Sequence, residues 1–498
     1  MYDVVLYGAT GFTGGFAAQY LAEHPQKPRI AFAGRNMAKV RKVRDSLVNV
    51  SKERIESIDL IEASADDKES LRRMASSAKA VINAVGPYSL LGGFDVAQAV
   101  AEAGGGYVDL TGESNVFERY AKELTPVAQQ TKAVLVPSSG FDCLPFDLTT
   151  YFAVQEVKKK LGPDSNIDRV VCGYDIGGSV SGGTLASMVN KDPEALKFTR
   201  PYWLSPVQGT MTTKIINALP LPQFRKKSGA FTFLTAHNLR VVNRSWGLLQ
   251  DAQSPHRYGP TFQYLEGVTR PSKLAACIAS SVVRLIVWLL LHVSLFGKLL
   301  MRTVPQGTGA PMEKQLQGFL NMRTVAYGSD GRTKGLAVMK VKGDPGYLKT
   351  GAFISEVALA IALDRERLSP LGQKGGVLTP ATVGADVVVE RLAQYGGGIS
   401  LQAADATQED LTQLLAYRQV CGAVPRRASP GAAHCLCRPQ CVQGAHSARQ
   451  PRERVQRAYR EHWADRGIGG RQGKSAAPRC RGQGRDQHRR SFWPAGRV

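Results

Sequence analysis

A strand-like run that ends in three spaced glycines and a helix, an alternation of strand-like and helix-like segments from Met1 to about Pro137, and a change of rhythm past Pro145 predict an α/β protein. The expected architecture is a Rossmann-like doubly wound parallel sheet with a second α+β domain containing a mainly antiparallel sheet. A chain of 498 residues has room for both, and 43% hydrophobic with 21% charged residues is ordinary for a folded, soluble body.

The first strand, Tyr2 to Tyr7, is β-branched and aromatic and lacks proline; it passes into Gly8-Ala9-Thr10-Gly11-Phe12-Thr13-Gly14 and a helix reaching Glu23. The second strand, Arg29 to Ala33, stops at Gly34-Arg35-Asn36, and helical spacing resumes through Val40, Val43 and Leu47. A third, Ser57 to Glu62, leads to Asp66-Asp67 and a helix around Ser70 to Met74. Ala80 to Val85 is the fourth, ended by Gly86-Pro87-Tyr88. An alanine-rich helix from Asp95 to Ala103 precedes the fifth, Tyr107 to Gly112, and Ala133 to Pro137 is the sixth. Later runs such as Arg169 to Tyr174 and Lys334 to Val341 are not followed by short crossover helices, so they read as antiparallel strands.

Strand, glycine turn and helix in that order present backbone N–H groups and a positive helix end to a phosphate. Gly8 permits the tight turn, Gly11 admits a pyrophosphate to the backbone, and Gly14 lets helix and strand pack closely, with Thr10, Phe12 and Thr13 in the same loop. The spacing Gly-x-x-Gly-x-x-Gly departs from the commoner Gly-x-Gly-x-x-Gly, and a glycine turn that binds nothing is the alternative. At the end of the second strand an acidic residue would bind a free ribose 2′-OH. Arg35 instead offers a planar fork to a 2′-phosphate, so NADP(H) is the expected cofactor, against the alternative of a solvated loop arginine. Asp66 is placed either to accept from an adenine amino group or to cap the helix behind it.

In such a fold the nicotinamide lies near the carboxyl ends of the fourth and fifth strands, which makes Asn83, Gly86, Pro87, Tyr88, Asp109 and Glu113 its neighbours. Tyr88 is a catalytic candidate as proton donor, or else a wall against the cofactor. Asp142 is the second catalytic candidate; with Asp147 it flanks the crossing into the second domain, where a hinge or cap role competes. Cys143 has no histidine in its motif, His237 and His256 stand alone, and no metal site is expected in the body.

Gly8 to Gly14, Ala33-Gly34-Arg35, Asn83 to Tyr88 and Tyr107 to Glu113 resemble the saccharopine dehydrogenase-like oxidoreductase family, which includes the trans-acting enoyl reductases of mycobacterial lipid synthesis. Ser139 to Asp147 resembles that family's Gly-Phe-Asp-Ser-x-Pro-x-Asp segment, with Cys143 where Ser is usual. Ser181 to Ser187 and Gly375 to Ala381 extend the match, which covers residues 1 to about 402. The resemblance implies NADP(H)-dependent hydride transfer to a C=C, C=O or C=N bond of a lipid-linked substrate, in lipid or glycolipid metabolism. It also implies a cofactor domain over 1–145, an α+β substrate or dimerisation domain over 146–370, and a helix within 371–417 that returns to the first domain. The alternative is a non-catalytic membrane or lipid-droplet protein that keeps a nucleotide fold as scaffold. No Arg and Lys cluster marks a multi-carboxylate pocket, so saccharopine itself is not the expected substrate.

Within 274–300, Leu274 to Phe296 is apolar, but its uninterrupted core, Leu285 to Leu291, is bracketed by Arg284 and His292 and is shorter than the roughly 20 residues a span needs. Three readings stay open: a transmembrane helix, a buried or dimer-forming helix, and an interfacial helix or hairpin. In the last, Arg270, Lys273, Arg284, Lys298 and Arg302 would face anionic head groups. Eukaryotic relatives of the family are associated with membranes and lipid droplets, which implies an intracellular, membrane-associated location: lipid droplet, mitochondrion or other organelle membrane. The N-terminal apolar stretch reads as a strand, so secretion is not expected.

The net charge is +23, and from Cys421 onward 17 Lys and Arg face 4 Asp and Glu, alongside five of the eight cysteines. The body's Cys143, Cys172 and Cys277 make no disulfide framework, which fits a reducing compartment. The tail, 418–498, is poor in large aliphatics and is expected to be disordered. Competing readings are a zinc site from His434, Cys435, Cys437 and Cys441, an RNA-binding arginine run, and the product of a shifted reading frame in GC-rich DNA. Nucleic acid is not an expected partner of the body.

Overall fold

A computed structural model describes residues 1–406 apart from 180, 183–186, 188, 190–192, 198, 211–215, 225–226, 294, 298 and 300–307. The tail with its candidate zinc ligands, the middle of the Ser181 to Ser187 segment, and Lys298 and Arg302 lie outside the described residues.

The first six strands are β1 (Tyr2–Tyr7), β2 (Ile30–Gly34), β3 (Asp59–Glu62), β4 (Ala78–Asn83), β5 (Gly106–Asp109) and β6 (Val134–Val136). They are parallel and lie in the order 6-5-4-1-2-3. Helices α1 (Phe12–Glu23), α2 (Met37–Asp45), α3 (Lys68–Ser76) and α4 (Gly93–Glu102) connect them. Both faces of the sheet are covered, which is why β1 and β4 are continuous apolar runs; Val4, Val5, Leu6, Val81 and Ile82 are fully buried. The strand order reverses between β1 and β4, so the chain leaves their carboxyl ends in opposite directions and a crevice opens there. The third strand starts at Asp59 rather than Ser57, because Ser57 closes a short helix, Lys52–Glu56.

Helix α5 (Leu144–Leu161), opened by Pro145, carries the chain to a second sheet. That sheet contains β7 (Ile167–Gly177), β8 (Leu219–Pro220), β9 (Ser228–Ala230), β10 (Tyr264–Arg270), β11 (Phe319–Gly328) and β12 (Lys334–Lys342). Every pairing in it is antiparallel except β7 with β10. α5 lies on one face, so close at β12 that a Cβ on Gly335 would fall 2.1 Å from the Ala153 carbonyl oxygen. Phe146, in the first turn of α5, meets Tyr174 edge-on at 5.1 Å. Beyond Tyr174, β7 therefore outruns the helix and faces the crevice of the first sheet.

α6 (Thr235–Asp251) precedes β10, and α7 (Lys273–His292) follows it, capped by the Ser272 side chain accepting from Ala275 N at 3.2 Å. α7 is long and apolar enough to cross a membrane by length and composition, and only 11% of its most apolar stretch is buried. The return to the first sheet begins earlier than the expected 371. α8 (Leu348–Leu363) lies against α1, β1, β4 and β5, with Ile361 where a Cβ on Gly106 would be, at 2.6 Å. β13 (Gly376–Val377) adds a seventh parallel strand beside β6, and α9 (Pro380–Tyr395) leads to β14 (Ile399–Asp405), which pairs with β12. Fully buried Glu356 of α8 ties these ends together. It accepts the Tyr20 hydroxyl at 2.5 Å, lies 2.9 Å from His24 Nε2 and pairs with Arg391 of α9 at 2.7 Å.

Candidate active site

The glycine turn at the end of β1 is built as a cradle. Gly8 has φ +97°, a region L side chains rarely adopt, and a Cβ there would strike Val85 at 2.6 Å. Its N–H donates to the Ala33 carbonyl at 3.1 Å, and its own carbonyl accepts from Gly11 N at 3.0 Å. Gly11 is the N-cap of α1 and supplies no side-chain cap, so the first-turn N–H groups stay available to an anion. Gly14 does not reach the cavity; a Cβ on it would sit 2.1 Å from the Gly8 carbonyl oxygen, so its role is to let helix and turn touch. Thr10, Gly11, Phe12 and Thr13 line a cavity of about 890 Å³, and Gly8 and Thr10 line an adjoining one of about 500 Å³.

Arg35 faces both cavities, and so does Lys39, which the sequence reading passed over. Asn36 caps α2 by accepting from Lys39 N at 3.0 Å, and this single turn sets both cations at the rim of the same cavity. Asp66 lines the smaller cavity. Its alternative role falls to Asp67, which caps α3 by accepting from Glu69 N at 3.1 Å and Ser70 N at 3.2 Å. Two cations at the end of β2, an acceptor at the end of β3 and an uncapped helix start fit the 2′-phosphate, adenine and pyrophosphate of NADP(H).

The ends of β4 and β5 turn several of the expected cofactor neighbours inward. Asn83 is buried rather than exposed to a ligand; its amide donates to the Tyr107 hydroxyl at 3.2 Å and its carbonyl oxygen accepts from Val85 N at 3.0 Å, so it shapes the turn. Tyr88 borders the cavity, but its hydroxyl donates to the Asn83 backbone carbonyl at 2.9 Å and accepts from Leu110 N at 2.9 Å. Burial, followed by the neighbouring Asp109 charge, pushes that phenol far up, and with its hydroxyl held between two backbone groups Tyr88 stands as a wall of the cavity. Asp109 and Glu113 are inward as well. Asp109 accepts from Thr111 N and Ser138 N, and burial raises its carboxyl to about 6, while Glu113 accepts from Tyr88 N at 2.8 Å and Ser89 N at 3.2 Å. Gly86 lines the cavity, whereas Pro87 is buried behind it.

Asp142 lines the larger cavity at the crossing between the sheets. Asp147 does not: it accepts from Ser245 Oγ at 2.5 Å and Ala381 N at 2.8 Å, joining α5, α6 and the start of α9, and burial raises it to about 6. Cys143 is buried, and burial pushes its thiol up, away from nucleophilic chemistry. His237 is buried 2.9 Å from Ser114 Oγ and 3.0 Å from Ser138 Oγ, and no group of metal-binding side chains occurs among the described residues. The remaining wall was invisible in the sequence. Tyr174 and Ile176 of β7 and Val268 and Arg270 of β10 alternate onto one face, Tyr174 opposite Val268 in register, and join the first sheet's loops around one space.

The family model for the saccharopine dehydrogenase NADP binding domain matches residues 4–136. A Mycobacterium tuberculosis protein provisionally named trans-acting enoyl reductase Rv2449c is 35% identical over 428 residues, covering 80% of this chain and 97% of its own length. The trans-acting enoyl reductase of Mycobacterium ulcerans is 32% identical over 430 residues, with coverage of 80% and 97%. Among solved structures, the apo saccharopine dehydrogenase (L-Glu forming) of Saccharomyces cerevisiae aligns at TM-score 0.48 and 14% identity, over 82% of this chain and 100% of that one. With 35% and 32% identity to the two mycobacterial relatives over 97% of their length, the chain belongs to the saccharopine dehydrogenase-like family and is an NADP-binding oxidoreductase related to the trans-acting enoyl reductases.

Proposed function

We propose that the protein is an NADPH-dependent enoyl reductase acting on a lipid-linked acyl group. The observation that carries this reading is one continuous cavity: the cofactor loops Thr10 to Thr13 and Arg35 form one end, and the apolar Ile176, Phe233 and Val268 form the other. NADPH, when bound, supplies the hydride. The first turn of α1 with Gly11 holds its pyrophosphate, Arg35 with Lys39 holds the 2′-phosphate, and Asp66 accepts from the adenine. Gly86 leaves backbone room at the nicotinamide end, and Tyr88 backs it. Asp142, between the sheets, faces the substrate rather than the cofactor and is the candidate for positioning its polar end. The apolar part of this wall, Ile176, Phe233 and Val268, suits an acyl chain.

We also infer that α7 lies in the interface of an intracellular membrane. Its inner face is fastened to the body, since Ser280 Oγ accepts from Phe231 N at 2.9 Å and donates to the Asn217 carbonyl at 2.7 Å, and that supports an interfacial helix over a spanning one. The test is NADPH oxidation over a panel of 2-enoyl thioesters, 3-keto thioesters and cyclic imines, together with flotation on anionic vesicles. Consumption confined to keto or imino compounds removes the enoyl reading. NADPH binding with no consumption across the panel favours the scaffold alternative, and failure to float removes the interfacial one.

A further inference from the structure

Helix α7 presents two apolar faces with different surroundings. Ala276 and Ser280 are fully buried, and Val283, the next residue along that face, lines the cavity of about 890 Å³. On the opposite face Leu274, Ile278, Val282 and Leu285 are exposed by 70%, 57%, 50% and 56%, so the outer surface is as apolar as the inner one. The cavity thus runs from the strand ends of the first sheet to the underside of an apolar surface helix. Its far wall is Ile176, Phe233, Leu234 and Val268, with two polar interruptions. Thr232 has its hydroxyl 3.2 Å from that of Tyr174, and Arg270 donates to the Thr269 carbonyl at 2.8 Å. The apolar stretch between those interruptions gains free energy from an apolar occupant long enough to cover it.

Resting on the enoyl reading, we infer that this passage holds the distal part of a long acyl chain and that Val283 sets the chain length the site accepts. The reacting bond sits at the strand ends, and the chain runs along β7 and β10 and ends beneath α7. Each methylene taken from water into the passage raises affinity roughly fourfold, so a bulky side chain at its end is read as lost preference for long chains.

The experiment compares four-carbon and sixteen-carbon 2-enoyl pantetheine thioesters, measured as binding to the full chain with NADP⁺. In the wild type the long probe binds more tightly, and Val283→Trp cuts the long-over-short affinity ratio by roughly tenfold or more. An unchanged ratio, or a wild type with no preference for the long probe, overturns the inference. Should Val283→Trp fail to bind NADPH, a second measurement on the wild type decides. A sixteen-carbon probe with a terminal diazirine is crosslinked by light and the adduct mapped. Attachment at Val283 or its inner-face neighbours Ser280 and Val287 supports the passage, and attachment at Ile278, Val282 or elsewhere overturns it. Turnover is scored separately: a long probe that binds and crosslinks at Val283 without oxidising NADPH keeps the passage and removes the enoyl reading.

Discussion

The place of Arg35 at the cofactor cavity was legible from position alone, because the end of the second strand lies beside the glycine turn. Lys39 was not: a basic residue one turn into a helix is usually a solvated one, and only the Asn36 cap shows that it shares the cavity with Arg35. Arg35→Ala is expected to weaken NADPH about 10- to 100-fold and leave NADH affinity nearly unchanged, with Lys39→Ala acting in the same direction; fluorescence titration with both nucleotides checks it. Asn83, Tyr88, Asp109 and Glu113 sat at the right strand ends but turned inward, since nothing in a one-dimensional pattern says which buried N–H groups need an acceptor. The pH response belongs to this scale too. Burial raises the Glu266 carboxyl to about 7, where Tyr264 Oη and Asn238 Nδ2 hold it, so the native state binds its proton more tightly than the unfolded chain does. The stability it contributes is complete below the unfolded value near 4.5 and is lost as pH rises through about 7. Glu266→Gln is therefore expected to match the wild-type Tm at low pH, to exceed it progressively as pH rises from about 4.5 to about 7, and to keep that lead at higher pH. A constant Tm difference across that range would show that Glu266 does not titrate in the native state.

Elements were readable where their pattern was local. Strands β1, β2 and β4 to β6 follow from apolar runs closed by glycine or proline, and the two-residue β13 does not, because Gly376 and Val377 become a strand only through pairing with β6. The glycine turn makes a sharp element-level prediction. Gly14→Ala places a methyl against the Gly8 carbonyl oxygen, so α1 must tilt away; NADPH binding is lost or weakened by about 100-fold and Tm falls, both read on one purified sample. For α7, the apolar run broken by Arg284 and His292 left three readings open, and the structure adds an asymmetry, a fastened inner face and an exposed outer one. Replacing Leu274, Ile278, Val282 and Leu285 together by Gln is expected to abolish vesicle flotation while Tm moves little, since these side chains are half or more exposed. Loss of fold would mean the outer face has an internal partner.

At the scale of the molecule, the two sheets share one core seam. Glu356 of α8 gathers Tyr20 and His24 from the first domain and Arg391 from α9, so the ends of the folded body are coupled through a buried carboxylate. Glu356→Ala leaves Arg391 largely buried with Asp364 as its remaining acidic partner, and the expected loss is about 3–5 kcal/mol in urea unfolding, with the two domains still melting in one transition. Two separate transitions would show that the seam is not what unites them. This long-range closure could not be read from residue spacing, since its members lie hundreds of positions apart.

That closure has a consequence for how the protein is made. Among the described residues the outer edge of β6 is paired by β13 and the outer edge of β12 by β14, so the last stretch of the described chain supplies an end strand to both sheets. Until a ribosome has synthesised that stretch, β6 lacks its parallel neighbour β13 and β12 its antiparallel neighbour β14. Newborn copies are thus exposed to strand-to-strand capture by one another until that stretch arrives, and the demand this chain places on chaperones scales with how slowly residues 376–405 are made.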